Sequence, residues 1–278
     1  VIDDTGRACI GCARTLDEIA IWGRASDAER AAVWAALPRR AAEMGLTVRR
    51  LHWQGDELLD EVEARFASAS GSFVAGVHGA AAEVLRAPDE AFEAQRNGAV
   101  LTLRTGRAAL RLEAAVYLTA FEIQRADGAP LIALAVPSGR ARLAAAHALT
   151  DLGPDDDNLL ARDAGGHRFD VGLGRRAARF TLRCPDDLAR AIAPHCGTPW
   201  PDCMGRIDAA VLAASPVRVV EAPCLRAEVD TEMTPPGGTP PDGPHTRLTP
   251  DDIAQGVDTP PSVPLPEDYA LSALFYPA

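Results

Sequence analysis

Cysteine 9 and cysteine 12 form a Cys-x-x-Cys at the entrance of a helical hairpin. Paired thiolates at this spacing suit zinc or an iron–sulfur cluster, and the spacing alone also fits two ordinary thiols beside a helix. Such centres normally take four protein ligands, so Cys9 and Cys12 supply an incomplete set. A thioredoxin-like redox pair would need a strand directly ahead of it, and none is predicted there. Much further along, His245 and Arg247 stand in a Pro/Gly-rich stretch. If that stretch crosses a sheet, the two side chains could meet Asp170, His78 or Glu83. Arg247 would then clamp a small anion, because a guanidinium presents a fork of donors to it. Cys184, His195, Cys196, Cys203 and Cys224 match no common zinc spacing and read as small packing thiols.

Two helices must position the thiol pair. Thr15 with Glu18 and Ser26 with Glu29 each have the spacing of a capping box. Pro38 is expected to stop the second helix. Ile19, Trp22, Val33, Trp34 and Leu37 are expected to face one another across the link. Beyond this hairpin the periodicity changes. Leu46–Trp53 reads as a strand, and Leu58, Leu59, Val62 and Phe66 make the apolar stripe of a helix. Phe73–Arg86 fits either a buried strand or a helix. Leu101/Leu103 and Leu110/Leu112 alternate with polar residues and read as a hairpin through Thr105-Gly106. Asp127-Gly128 marks a tight turn, Pro130–Val136 a sheet-centre strand, and Ser138–Ala146 a short helix. Asp155–Asp157 reads as a solvated helix start rather than a calcium loop. Further strands are expected near Ala178–Leu182, Val217–Glu221 and Leu225–Val229, with helices after Pro185 and over Met204–Ala214.

The predicted class is therefore α+β. A Cys-motif hairpin, 1–42, precedes a mainly antiparallel sheet domain, 43–278. Gaps between its strands are too short for crossover helices. The tail 234–266 is too rich in Pro and Gly to form its own core, and should wrap the sheet or stay mobile. Tyr269, Leu271, Leu274, Phe275 and Tyr276 offer an apolar anchor after it.

Composition narrows the function. All 28 basic residues are arginine, and the net charge is −11. With the abundant alanine, the all-arginine usage points to a GC-rich bacterial genome. The acidity argues against a broad nucleic-acid surface and against attraction to anionic lipid. The apolar runs are too short to span a bilayer, and no signal segment opens the sequence, so the expected location is cytoplasmic. Reduced thiols are expected there.

Residues 7–38 carry Cys-Ile-Gly-Cys-Ala-Arg-Thr-Leu-Asp-Glu-Ile, Trp22, Ser26-Asp27-Ala28-Glu29-Arg30 and Leu37-Pro38. They resemble a small proteobacterial family of unknown function whose members are often labelled predicted Fe–S proteins. That family carries two further cysteines upstream, at a position that falls before Val1. The resemblance implies either a product that starts earlier or a hairpin that has lost its metal. A second resemblance rests on GVHGAAAEV (76–84), DLGPD (151–155), FDVGLG (169–174), PPGGTPPDGPHT (235–246 region) and LFYP (274–277). These are similar to a widespread uncharacterised proteobacterial family over roughly residues 46–278. Its tail reads Gly-Pro-His-Thr-His; here Arg247 replaces the second histidine, which suits an anion better than a metal.

Three readings follow. The first is a binding or accessory protein with a zinc or Fe–S knob that recognises a protein partner. The second is an enzyme on a small anionic substrate using His245 and Arg247. The third is a structural or oligomerising module without metal. No nucleophile–base pair, phosphate loop or complete metal set supports the enzyme, so the first is preferred.

Overall fold

In the computed structural model, described residues are 13–45, 47–77, 80–125, 129–141, 158–163, 165–171, 178–199, 202–235, 238–248 and 263–278. The N-terminal hairpin consists of α1 (Leu16–Ile21) and α2 (Asp27–Glu43). Both capping boxes form: Thr15 and Ser26 accept from the amides of Glu18 and Glu29, whose carboxylates return to the cap amides. Glu18 also takes a forked pair of hydrogen bonds from Arg40, at 2.7 and 3.0 Å, and Arg40 donates to Ala13 O. Burial alone would raise the Glu18 carboxyl, but Arg40 and the Thr15 amide outweigh it and hold it below its ordinary value.

Two expectations for the hairpin are corrected. Pro38 does not end α2, which runs on to Glu43. A proline inside a helix costs one backbone hydrogen bond and a steric clash. The contacts beyond it compensate: Leu37 and Ala41 pack on Ala13, and Arg40 is tied to Glu18. Ile19 is 41 % exposed and stays outside that small cluster.

The remaining strands build two antiparallel sheets. The first contains β1 (Val48–Arg50), β2 (Gly71–Val77), β3 (Ala80–Leu85), β7 (Thr119–Ile123), β8 (Leu131–Pro137), β14 (His245–Leu248) and β15 (Tyr269–Pro277). Their order is β1-β7-β8-β15-β2-β3-β14. The second contains β4 (Glu93–Asn97), β5 (Val100–Arg104), β6 (Ala108–Glu113), β9 (Leu160–Ala161), β10 (Arg168–Asp170), β11 (Arg179–Arg183), β12 (Val217–Ala222) and β13 (Leu225–Val229). Their order is β4-β5-β6-β13-β12-β11-β10-β9. Within Phe73–Arg86, the described residues 73–77 and 80–85 are strand, β2 and β3 pairing from Ser72↔Leu85 to Val77↔Ala80.

Alternation sets the faces. Phe73, Ala80, Ala82, Val84 and Phe275 point inward from the first sheet, and Leu101, Leu110, Phe180, Val220 and Ala227 from the second, into one core. The fully buried Ala80 and Ala82 keep β3 slim where it packs on β12 and β13. Helix α3 (Gly55–Ser68) lies against β2 and β5, so it bridges the sheets with Leu58, Leu59, Val62 and Phe66. Its exposed carbonyls at Phe66 and Ala67 are capped by the buried Arg86. Helices α4 (Asp186–Ile192) and α5 (Met204–Ala214) pack together, adding Leu188, Ile192, Ile207 and Val211 to the core.

Of the tail, His245–Leu248 forms β14, which lies along the sheet as an edge strand on β3, and the apolar anchor after it forms β15, central between β8 and β2. Both faces of β15 are apolar enough to be buried: Ala273 and Phe275 inward, Leu274 in a second cluster on the outer face. No helix among the described residues is long and apolar enough to cross a membrane. The Asp127-Gly128 turn, 142–146 and the aspartates 155–157 lie outside the described residues.

Candidate functional site

Strand β14 carries the polar tail residues to the edge of the first sheet. His245 is the register partner of Glu83, Thr246 of Ala82 and Arg247 of Ala81. The approach to β14 is fixed by backbone chemistry. Gly243 has a φ of +141°, and a Cβ there would lie 2.6 Å from Arg107 Nη1. No side chain fits that turn, so the Gly243 carbonyl is aimed where only glycine allows. It meets His245 Nδ1 at 2.9 Å. Thr231 Oγ1 donates to Pro244 O at 2.9 Å. Thr246 faces inward and accepts from Arg218 Nε at 3.1 Å.

Arg218, on β12, is fully buried between the sheets. Its other donors reach Pro216 O, Thr231 O and Thr231 Oγ1. Burial pulls its guanidinium down to about 10. It therefore acts as a pin, holding both ends of the 231–246 segment against the second sheet.

The consequence is the posture of His245. The residue is 6 % exposed, and Nδ1 is the nitrogen bonded to a carbonyl, so Nδ1 carries the proton in the neutral ring. The other nitrogen, Nε2, is buried and has no hydrogen-bond partner among the described residues. Glu83 Oε2 lies 3.4 Å from it. Glu83 is partly exposed, so the pair opens to solvent on the carboxylate side. Tyr276 lies nearby in electrostatic terms: burial raises its phenol, Arg125 opposes, and the Glu83 charge adds to the rise.

Of the residues expected to share a site, Glu83 and His245 come together, and Arg247 follows on the same strand face, exposed. Asp170 does not join them. It lies on the outer face of the second sheet, fully buried, with Oδ2 at 2.9 Å from Arg162 Nη2 and 3.7 Å from Arg179 Nε. The core separates that face from the Glu83–His245 face. Cys9, Cys12 and His78 lie outside the described residues. Among the described residues no group of three His, Cys, Asp or Glu side chains gathers as a ready metal site.

Sequence reasoning passed over a second polar place. The outer face of β4, β5, β6 and β13 holds a cavity of about 530 Å³ lined by Gln95, Asn97, Val100, Thr102, Arg104, Arg111 and Glu228. Its only signal was the polar half of the strand alternation, which reads equally well as a solvated face.

Family models match nearly the whole chain in two parts. The model for a family of unknown function, DUF6925, matches residues 57–278. That for a second family of unknown function, DUF1289, matches residues 1–41. No curated protein and no solved structure matches.

Proposed function

We propose that this chain, which belongs to the DUF6925 family, is a metal-binding protein in which His245 Nε2 and Glu83 Oε2 supply two ligands to a zinc-class divalent cation. One observation carries the reading: a buried imidazole locked through Nδ1 to a carbonyl, its Nε2 without a hydrogen-bond partner among the described residues and facing a carboxylate oxygen at 3.4 Å. With the ring neutral, Nε2 presents a lone pair to the carboxylate, and the two repel unless something stands between them. A proton between them would draw the atoms to about 2.8 Å, the length of a charge-assisted hydrogen bond. Two ligands of a tetrahedral zinc, each about 2.1 Å from it, stand about 3.4 Å apart. A backbone carbonyl on the far ring nitrogen is also the usual support of a metal-bound histidine. Water would complete the coordination on the open side of Glu83. A histidine acting as a base would need Nε2 aimed at a substrate, whereas here the carboxylate occupies that position.

The test is zinc binding to the full chain carrying Cys9→Ser and Cys12→Ser, measured by equilibrium dialysis. One zinc per chain is expected, lost at least about tenfold in affinity on His245→Ala or Glu83→Gln. No saturable zinc, or binding indifferent to both substitutions, refutes the reading.

The DUF1289-like hairpin supports a second metal reading, with Cys9 and Cys12 as thiolate ligands to zinc or an Fe–S cluster and further ligands from elsewhere. What favours it is the rigid attachment just after Cys12: Ala13 is fully buried and its carbonyl is held by Arg40. Metal content of the unmodified chain beside the Cys9→Ser/Cys12→Ser chain separates the two: a difference of one metal equivalent belongs to the hairpin, and no difference removes it.

A further inference from the structure

We infer that the cavity on the outer face of the second sheet binds the phosphoryl group of a small non-aromatic metabolite through Arg104 and Arg111. The site lies across the core from Glu83 and His245, and the inference does not depend on a metal there.

The argument is a hydrogen-bond account of one sheet face. Arg111 sits in a cross-strand row with Thr102 on one side and Arg226 on the other. Arg104 is its diagonal neighbour on β5. The carboxylates nearby are engaged elsewhere. Glu228 takes Arg226 Nε on Oε1 at 2.9 Å and Arg183 Nη2 on Oε2 at 2.7 Å. Burial alone would raise its carboxyl, but the charges of Arg226 and Arg183 outweigh that and hold it below its ordinary value. Glu221 takes Arg226 Nη1 at 3.1 Å. Glu93, the register partner of Arg104, forms no ion pair with it. Arg104 reaches Glu228 through charge alone. So Arg104 and Arg111 make no hydrogen bond or ion pair with any described residue, while Arg179, Arg183 and Arg226 on this face do.

The ligand class follows from the lining. Two guanidiniums balance a dianion, and their donor forks fit its oxygens in pairs. Gln95, Asn97 and Thr102 add neutral donors around them. A volume of about 530 Å³ exceeds what a bare phosphate fills and leaves room for a small polar body. No aromatic ring lines the cavity, so nothing offers a nucleobase a stacking face.

The test is calorimetric titration of the full chain with inorganic phosphate, glucose 6-phosphate and succinate at constant ionic strength. Saturable binding of glucose 6-phosphate is expected, stronger than that of phosphate, with succinate weak. Arg111→Met and Arg104→Met should each weaken it at least about tenfold, Arg111→Lys less, and Arg190→Met on α4 not at all. Arg104 is exposed, so its removal leaves the core intact and keeps the test valid should Arg111→Met fail to fold. Absence of saturable binding by either phosphate compound, preference for succinate, or wild-type affinity in Arg104→Met overturns the inference.

Discussion

Glu83 and His245 face each other as register partners across β3 and β14, with carboxylate oxygen and ring nitrogen 3.4 Å apart. Neither element is special alone: β3 is an apolar strand with one outward glutamate, and β14 is four residues long. Their meeting depends on Gly243 turning its carbonyl to the ring and on Arg218 pinning Thr246 from the other sheet. Remote backbone and core residues therefore preset the geometry of the pair.

Arg218 should be expensive to remove. It is fully buried and serves four acceptors, at Pro216, Thr231 (twice) and Thr246. Arg218→Ala leaves these acceptors unsatisfied in the core, and a loss of about 3 kcal/mol is expected. Urea unfolding checks the number. Because the same residue holds β14, the variant should also lose protection of the His245–Leu248 amides in hydrogen exchange. A stable variant with intact protection would show that β14 is held by its strand pairing alone.

Stability should fall in alkali for a defined reason. Burial pushes the Cys184 thiol up to about 12 and the Cys224 thiol to about 11, from an ordinary value near 9. Between those values the unfolded chain has released thiol protons that the folded chain still keeps. Stabilisation by these groups is thus complete below pH 9 and is lost as pH rises through 11 and 12. Tyr117 and Tyr276, also raised by burial, act with the same sign. Unfolding free energy measured from pH 8 to 10.5 should decline, less steeply in Cys184→Ala. In the same range, among the described cysteines, the exposed Cys196 should label first.

The hairpin should loosen without its clamp. Arg40 joins Ala13 O to the forked carboxylate of Glu18, which also closes the capping box at Thr15. Arg40→Met should destabilise the hairpin by about 1–2 kcal/mol. Limited proteolysis should then cut within 13–45 while the sheets stay intact. Wild-type resistance would place the strength of the hairpin in Leu37 and Ala41 instead.

Features governed by near neighbours were legible in the sequence. Both capping boxes, the span of α5, and the β5–β6 and β12–β13 hairpins rest on contacts within a few residues. Features decided by distant packing were not. Pro38 passes for a stop signal until Leu37, Arg40 and Ala41 find partners on both sides of it. The composition of the tail conceals that His245–Leu248 closes a sheet edge, and the apolar anchor after it does not reveal that β15 enters the middle of that sheet, because its two faces meet strands remote in the chain. Glu83, His245 and Asp170 looked equally available for one site; burial of Asp170 between Arg162 and Arg179 on the other sheet is a long-range outcome that spacing does not encode. Arg104 and Arg111 were invisible as a site because a wet strand face and a donor-lined cavity share one alternation pattern.

The most direct measurement is the histidine ring itself. In full chain labelled with ¹⁵N, carrying Cys9→Ser and Cys12→Ser, addition of zinc should shift the Nε2 resonance of His245 while Nδ1 stays protonated and bonded to the Gly243 carbonyl, and Glu83→Gln should weaken the response at least about tenfold. A ring that ignores zinc and instead takes a proton on Nε2 at neutral pH would contradict the account, making the pair an ion pair and no more.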